Sequence, residues 1–585
     1  MACPEITTIP SSECIGNSLI TINSNFETLK DAICEITINE TGVTVEDEGS
    51  QIGANVKIVN FVGAGVNAIV SGDRAQISIP GAEQIKVVSL EEQGINSGGG
   101  RDNFFVLNDG SLRVVGLNQR GELGIGLADK KVFLPRIAGF TPPLELGEGI
   151  SKVYSQHNCT YLVTSFGRVY SAGVNTSGQL GIGTTSTTPT PVFTFVNAIG
   201  ETATPLNDVT NPVSGYAAAK LPGNRVIQLC TGSGAVTALL TIFALTEDGR
   251  VFVWGANSRG QAGIPTSTTG NLITTPRQSS SFTGTGRLIT SAGNNNATTT
   301  FVVDTQDKLY VVGRNQDGQA GIGNNNTGFV NIDSFQLVTG LPFGYRVNNV
   351  RVGGTADQIT TFVTLKDGTL YAAGRGINGA VTGTTDATGS IQFVRVQGFT
   401  DSEFVEDVAV HADANAITCW ALIRDGVSGY RLKGWGNNTY GQLGLGTVAT
   451  TVAVSENTAW PWLSTPGVNV IQVVVAGNGR QKTTLVLDSA NRLWAAGYGA
   501  SGLIGNGRRT TTNSTFQRVV FNPGLGYPVQ IRSTNNDVTN FANFLALLNT
   551  GKVLGWGWDE VATGQLGVDA SPDVTTIPSL VQILI

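Results

Sequence analysis

From about residue 85 onward, apolar and polar residues alternate in short runs joined by tight turns. Examples are FALTEDGRVFVWG (Phe243 to Gly255) and FVTLKDGTLYAAG (Phe362 to Gly374). Alternation with a period of two places the apolar side chains on one face of a strand. Gly accepts the positive φ of a type I′ turn, so each run predicts a β-hairpin. Asp109-Gly110, Asp248-Gly249, Asp367-Gly368 and Asp425-Gly426 mark hairpins, with Phe166-Gly167 and Thr550-Gly551 as looser versions. One further strand precedes each hairpin, such as Val226 to Cys230 or Val470 to Gly477. Another follows it at a proline, such as Pro135 or Pro191. The pattern therefore predicts four strands per unit.

Each hairpin runs into a glycine motif whose fullest copy is GVNTSGQLGIG, Gly173 to Gly183. The opening glycines recur at Gly116, Gly173, Gly255, Gly313, Gly374, Gly436, Gly497 and Gly557, spaced 57 to 62 residues apart except for one gap of 82. The copies at Gly374 and Gly497 keep the glycines and lose the Gln. Four short strands repeated at this period describe an all-β fold, a β-propeller whose sheets bury their faces against their neighbours. Asn118, Asn175, Asn257, Asn315 and Asn438 are expected to bond their own backbone in the turn that follows. Trp254, Trp435, Trp494 and Trp556 recur in the hairpins and are expected in the core.

The pattern D-G-x-V-Y-x-x-G-x-N-x-x-G-Q-L-G-x-G resembles the regulator of chromosome condensation repeat, over residues 85–585. That resemblance implies a propeller, usually of seven blades. The eight units here read as eight blades, with seven plus an edge unit as the alternative. The family tends to carry a His just before the first hairpin strand. Asn103, Cys159 or Thr299 stands there instead, so nothing tied to that His is carried over.

Residues 1–84 follow other periods. Leu19, Ile22, Phe26, Leu29, Ile33 and Ile36 are spaced by three and four, a heptad seam within an arm of residues 1–40. The seam predicts a short helix that self-associates, a homotrimer being one form, or docks on a partner. The alternative is an amphipathic helix packed on its own domain. Residues 41–84 alternate with Gly breaks and predict a small β domain, with Glu46, Asp47 and Glu48 in a solvated loop. The phrases SLITINSNFETLKDAIC and VTVEDEGSQIG resemble the N-terminal attachment region of phage tail-fibre and related virion proteins.

Charge sharpens this division. Residues 1–84 hold Lys30, Lys57 and Arg74 against eleven acidic residues, so the remaining chain is near neutral out of a total of −7. A near-neutral propeller argues against nucleic acid as a partner, which calls for clustered basic surface. No run of apolar residues is long enough for a membrane-spanning helix, and the N-terminus shows no secretion signal. Cys3, Cys14, Cys34, Cys159, Cys230 and Cys419 are too sparse for a disulfide scaffold and read as buried thiols, with a disulfide among the first three left open.

Catalytic parts are scarce. His157 and His411 are the two histidines, and Asp413 near His411 is too little for a metal site. No nucleophile elbow or phosphate loop occurs, so no catalytic, cofactor or metal residue is assigned. Two departures from the repeat are candidate partner-binding segments. One is the insertion 197–222, with Asn197, Asn207, Asn211 and Tyr216; the other is AWPWLSTPG, with Trp460 and Trp462, whose favoured role is to fill a blade edge and whose alternative is to bind a partner.

These readings lead to an expected virion structural protein, a tail or head fibre located on the phage particle. Residues 1–84 would attach it to other virion proteins, and the propeller would bind a host surface glycan or protein. The alternative is a regulator-type propeller acting as a GTPase exchange factor or interaction scaffold. A third is an extracellular inhibitor or adhesin. Fold alone does not choose among them.

Overall fold

The computed structural model describes strand backbone within residues 34–78 and, with breaks at loops, residues 86–583. The longest breaks are 91–101, 197–222, 232–239, 325–331, 535–541 and most of 559–573. The chain divides into two compact units, Met1–Ile85 and Lys86–Ile585.

In the first unit β1 (Cys34–Asn39), β2 (Gly42–Asp47), β3 (Ser50–Val56), β4 (Asn67–Ser71) and β5 (Arg74–Ser78) form one antiparallel sheet in the order β3-β2-β1-β5-β4. This corrects the helical assignment of Ile36, which lies in β1 opposite Val45. The stretch CEITIN alternates, and its β-branched residues favour a pleated strand over a helix. Glu46 and Asp47 likewise belong to β2 rather than to a loop. The other seam positions, Leu19, Ile22, Phe26, Leu29 and Ile33, lie outside the described residues.

The second unit is a β-propeller. Among the described residues its strands group into eight four-stranded units, spanning 87–137, 150–195, 226–278, 286–337, 347–395, 405–455, 470–518 and 528–580. They are numbered 1 to 8 below. Each is an antiparallel meander with its first strand innermost, and the innermost strands of successive units pack side by side, unit 8 returning to unit 1. Closure is therefore made without a shared strand, since the first and last strands each stay in their own sheet.

Polar side chains join the units at the axis. In units 2, 3, 7 and 8 the third residue of the innermost strand reaches the backbone of the next innermost strand. Gln228 Oε1 accepts from Ile289 N at 3.2 Å, and Gln472 accepts from Ile531 N at 2.9 Å while donating to Ile531 O at 2.8 Å. At the closing seam Gln530 Oε1 accepts from Leu90 N at 2.9 Å, and Arg532 Nε donates to Leu90 O at 3.1 Å. Lys152 Nζ donates to Ile227 O at 2.6 Å between units 2 and 3.

The hairpins differ from the type I′ expectation. Gly110 has φ +81° but Asp109 is not left-handed, and Gly110 N donates to Leu107 O at 2.9 Å. This is a type I turn closed by a left-handed residue, a commoner solution for a longer loop. The glycine is needed because a Cβ on Gly110 would stand 2.6 Å from the Cα of Gly149, where the chain enters unit 2. Asp307 and Asn491 hold the same left-handed place in units 4 and 7, at φ 63° and 56°.

On the opposite side of the ring the glycine motifs gather. Asn175 Oδ1 accepts from Leu180 N at 3.1 Å and its Nδ2 donates to Thr184 O at 2.8 Å, as expected for a side chain that pins its own loop. Trp254 Nε1 donates to Gln179 O at 2.9 Å, Trp435 Nε1 to Ala380 O at 3.1 Å, and Trp556 Nε1 to Leu503 O at 3.0 Å. Each fully buried indole thus closes the motif of the preceding unit. Trp494 is a correction: it lies nearer its hairpin turn, half-buried between Arg492 and Arg518, and donates to Asp488 Oδ2 at 2.9 Å.

Because no ladder crosses the closing seam among the described residues, Gln530→Leu is expected to lower stability by roughly 1–3 kcal/mol through the unpaired Leu90 N–H it leaves. Denaturant unfolding of the variant against wild type checks this; an unchanged midpoint would show that apolar packing alone closes the ring.

Candidate interaction face

The ring has two unlike faces. The glycine face carries the motifs just described. The turn face carries the hairpin turns, together with the links that lead into each innermost strand.

The segment holding Trp460 and Trp462 enters a short 3₁₀ turn, Pro461–Ser464. Both indoles are 1 % exposed, as expected for residues that fill a blade edge, and their candidate role as partner-binding residues is corrected. Trp460 lies 5.6 Å from Trp420 and 5.4 Å from Trp462, and Trp462 lies 4.9 Å from Phe516. Trp460 Nε1 also donates to Gly444 O at 3.0 Å. The extra residues fill the wedge between units 6 and 7, since apolar rings this large are buried whenever neighbouring sheets leave room.

The insertion candidates Asn197, Asn207, Asn211 and Tyr216 lie outside the described residues. Its described ends are Val196 and Gly223, and Gly223 O accepts from Asp248 N at 3.3 Å in the hairpin of unit 3. The described chain thus resumes at the turn face.

That face also exposes apolar side chains the sequence reading did not single out. The second residue of each innermost strand points along the rim of the axial channel. Val88, Ile227, Ile471 and Val529 fill it in units 1, 3, 7 and 8, each 39 to 48 % exposed. Units 7, 8 and 1 are neighbours, so Ile471, Val529 and Val88 form a continuous arc. The links leading into these strands add Leu146, Tyr527 and the fully exposed Phe343. The other large exposed apolar residues, such as Ile137, Val394 and Ile577, lie on or beside outermost strands. Isolated exposures of that kind are ordinary, whereas a rimmed arc marks an interaction surface.

The remaining arc is charged. In units 4 to 6 the same rim position holds Arg287, Asn348 and Glu406. Asp307, in its left-handed turn, binds Arg287 Nε at 2.9 Å, Arg346 Nη2 at 2.8 Å and Lys366 Nζ at 2.7 Å. Burial opposes its ionisation, but Lys366, Arg346 and Arg287 outweigh that and hold the carboxyl below the usual range. Glu406 pairs with Arg424, whose guanidinium stacks 4.1 Å from the Phe404 ring centroid.

Beneath the rim a channel cavity of about 410 Å³ includes Tyr154, Cys230, Arg351, Asp407, His411 and Arg532 in its lining. Arg351 grips Asp407 with Nε–Oδ1 2.9 Å and Nη2–Oδ2 2.6 Å, and Asn349 Nδ2 adds a bond at 3.0 Å. Burial pushes the Cys159 and Cys230 thiols up to about 12, so neither is a thiolate near neutrality. His157 and Asp413 lie outside the described residues.

Comparison with known proteins places the repeats. The model of the regulator of chromosome condensation (RCC1) repeat matches residues 167–202 and 241–261. The chain is 29% identical over 28% of its length to the human X-linked retinitis pigmentosa GTPase regulator, 13% of which is covered. It is 28% identical over 38% of its length to the bovine secretion-regulating guanine nucleotide exchange factor, 41% of which is covered. The chain thus spans less than half the length of these relatives. Among solved structures, human WBSCR16 aligns over 73% of this chain and 96% of its own at 19% identity, with a TM-score of 0.49. Yeast Prp20 bound to Kap60 aligns over 70% of this chain and 82% of its own at 20% identity, with a TM-score of 0.44. The fold is a β-propeller built from repeats of the RCC1 type.

Trp460→Ala and Trp462→Ala are each expected to destabilise the protein by roughly 3–5 kcal/mol, as cavities in a packed aromatic core. Thermal unfolding of the two variants checks this, and wild-type stability would return these residues to the surface.

Proposed function

We propose that this chain is a protein-interaction scaffold whose propeller receives a protein partner on its turn face, rather than an enzyme. The apolar arc of Ile471, Val529 and Val88 carries this reading, because it exposes at the channel rim side chains that the repeat elsewhere commits to packing. Gly223, the described residue that follows the long insertion, bonds a hairpin turn on the same face. Similarity to a GTPase regulator and a nucleotide exchange factor makes a GTPase one class of partner within this proposal.

The virion reading stands second. An anchor to a phage particle, self-association and a host-surface receptor rest on the resemblance of residues 1–84, whose described part is a small antiparallel sheet. A host surface protein would use the same turn face. The segments that match the repeat model both lie in the propeller.

The test combines Val88→Ser, Ile471→Ser and Val529→Ser in the full chain. Ile577→Ser with Leu580→Ser on the outermost strand of unit 8 is the control. Proteins retained by each immobilised variant from an extract of the source cells are quantified by mass spectrometry. The rim variant is expected to lose retention about tenfold or more, the scale of a disrupted interface centre, while the control keeps it. Equal retention by both variants would overturn the reading.

A further inference from the structure

The Gln of the glycine motif has two bonding arms in this ring. Its Oε1 accepts a backbone N–H within its own loop: Ser177 N to Gln179 at 2.7 Å, Arg259 N to Gln261 at 2.9 Å, Asp317 N to Gln319 at 2.9 Å, and Tyr440 N to Gln442 at 3.1 Å. Its Nε2 donates to the hydroxyl that opens the first hairpin strand, Gln319 to Thr299 at 3.0 Å and Gln442 to Thr418 at 3.4 Å.

Unit 1 replaces both members of that pair with carboxyl groups. Glu122 stands in the place of Gln, and Asp102 stands in the place of Thr299, paired to Gly116 as Thr299 is to Gly313. Each is 1 % exposed. Glu122 Oε2 accepts from Arg120 N at 2.6 Å, reproducing the acceptor arm. Among the described residues Oε1 has no hydrogen-bond partner where the amide arm would donate. An ionised carboxylate only accepts, whereas a protonated one supplies the missing O–H.

We propose that unit 1 carries a protonation-dependent lock. Glu122 holds a proton in the folded ring and donates it toward Asp102, as Gln donates toward Thr in units 4 and 6. Loss of that proton loosens the unit that closes the ring against unit 8.

The charge of Arg120 in its own loop acts on Glu122, and Glu122 acts on Cys159, which lies beside Tyr161 on the first hairpin strand of unit 2; Asp102 of its own unit holds the register position of Thr299. Cys159 and Tyr161 stay neutral near pH 7, because burial raises both. Burial is also the main influence on Glu122. It outweighs the backbone bonds and the Arg120 charge, raising the carboxyl from 4.5 to about 7. A folded-state value above the unfolded one means that the folded ring keeps a proton the unfolded chain releases. The contribution of Glu122 to stability is therefore greatest below pH 4.5, falls between 4.5 and about 7, and levels off above that. Each pH unit of difference is a factor of ten, so the full effect is two to three orders of magnitude in the local opening equilibrium.

The experiment is hydrogen exchange of the full-length protein between pH 5 and pH 8, with rates corrected for intrinsic chemistry. Peptides from 102–123 are expected to lose protection ten- to a hundredfold as pH rises, while peptides from 299–321 in unit 4 do not. Glu122→Gln, which restores the residue of the other motifs, is expected to abolish the loss and keep unit 1 closed at pH 8. The same loss in Glu122→Gln as in wild type would overturn the proposal. So would calcium ions restoring protection at pH 8 in wild type but not in Glu122→Gln, since the two carboxylates would then hold a cation in place of a proton.

Discussion

The propeller depends on amide side chains that cross from one innermost strand to the backbone of the next. Among the described residues ladder bonding is mostly internal to each unit; single pairs link neighbouring units at Tyr430 with Val470, Ile125 with Val192 and Ile322 with Gln392. Cohesion between units therefore falls to buried apolar faces, whose attraction has no direction, and to directional bonds at both faces: the glycine motifs donate to the next unit's outermost strand, as Gly183 N does to Thr274 O, and amide side chains act at the axis. Gln228, Gln472 and Gln530 supply axial bonds at equivalent places, and the last of them, with Arg532, ties unit 8 to unit 1. The hairpin turns act at the same level, each resting on the chain entering the next unit so closely that a side chain at Gly110 would collide.

This arrangement leaves the two faces with different freedom. On the glycine face Asn, Gln and Trp side chains are consumed by the loops they hold, as Asn175 and Trp254 show. On the turn face the rim position is free to vary, and it does so from Val88 and Ile471 to Arg287 and Glu406. Recognition is therefore assigned to the turn face. The buried network of the glycine face is sensitive to any residue that reverses a donor, as Glu122 does.

Much of this was legible in the residues. The period of the glycine motif, the alternating hairpins and the Asn that pins each loop all depend on local chemistry, and local chemistry is written locally. The rim was missed because its signal is distributed: Val-Ile-Gln at 226–228 and at 470–472 reads as ordinary strand until the ring aligns the two. Trp460 and Trp462 read as blade-edge fillers with a partner-binding role left open, for a related reason. They lie off the repeat, yet the wedge they fill exists only once units 6 and 7 are side by side. Ile36 failed differently, because a spacing of three and four over so few residues also fits a β-branched strand.

The central claim is that a protein partner binds the turn face. It is tested most directly by hydrogen exchange of the full chain with and without a bound partner. The account predicts slowed exchange at 86–90, 143–149, 341–348 and 466–471, and at 523–530, with the glycine motifs unchanged. Protection centred on 173–183 and 436–446 instead would place the partner on the opposite face and contradict it.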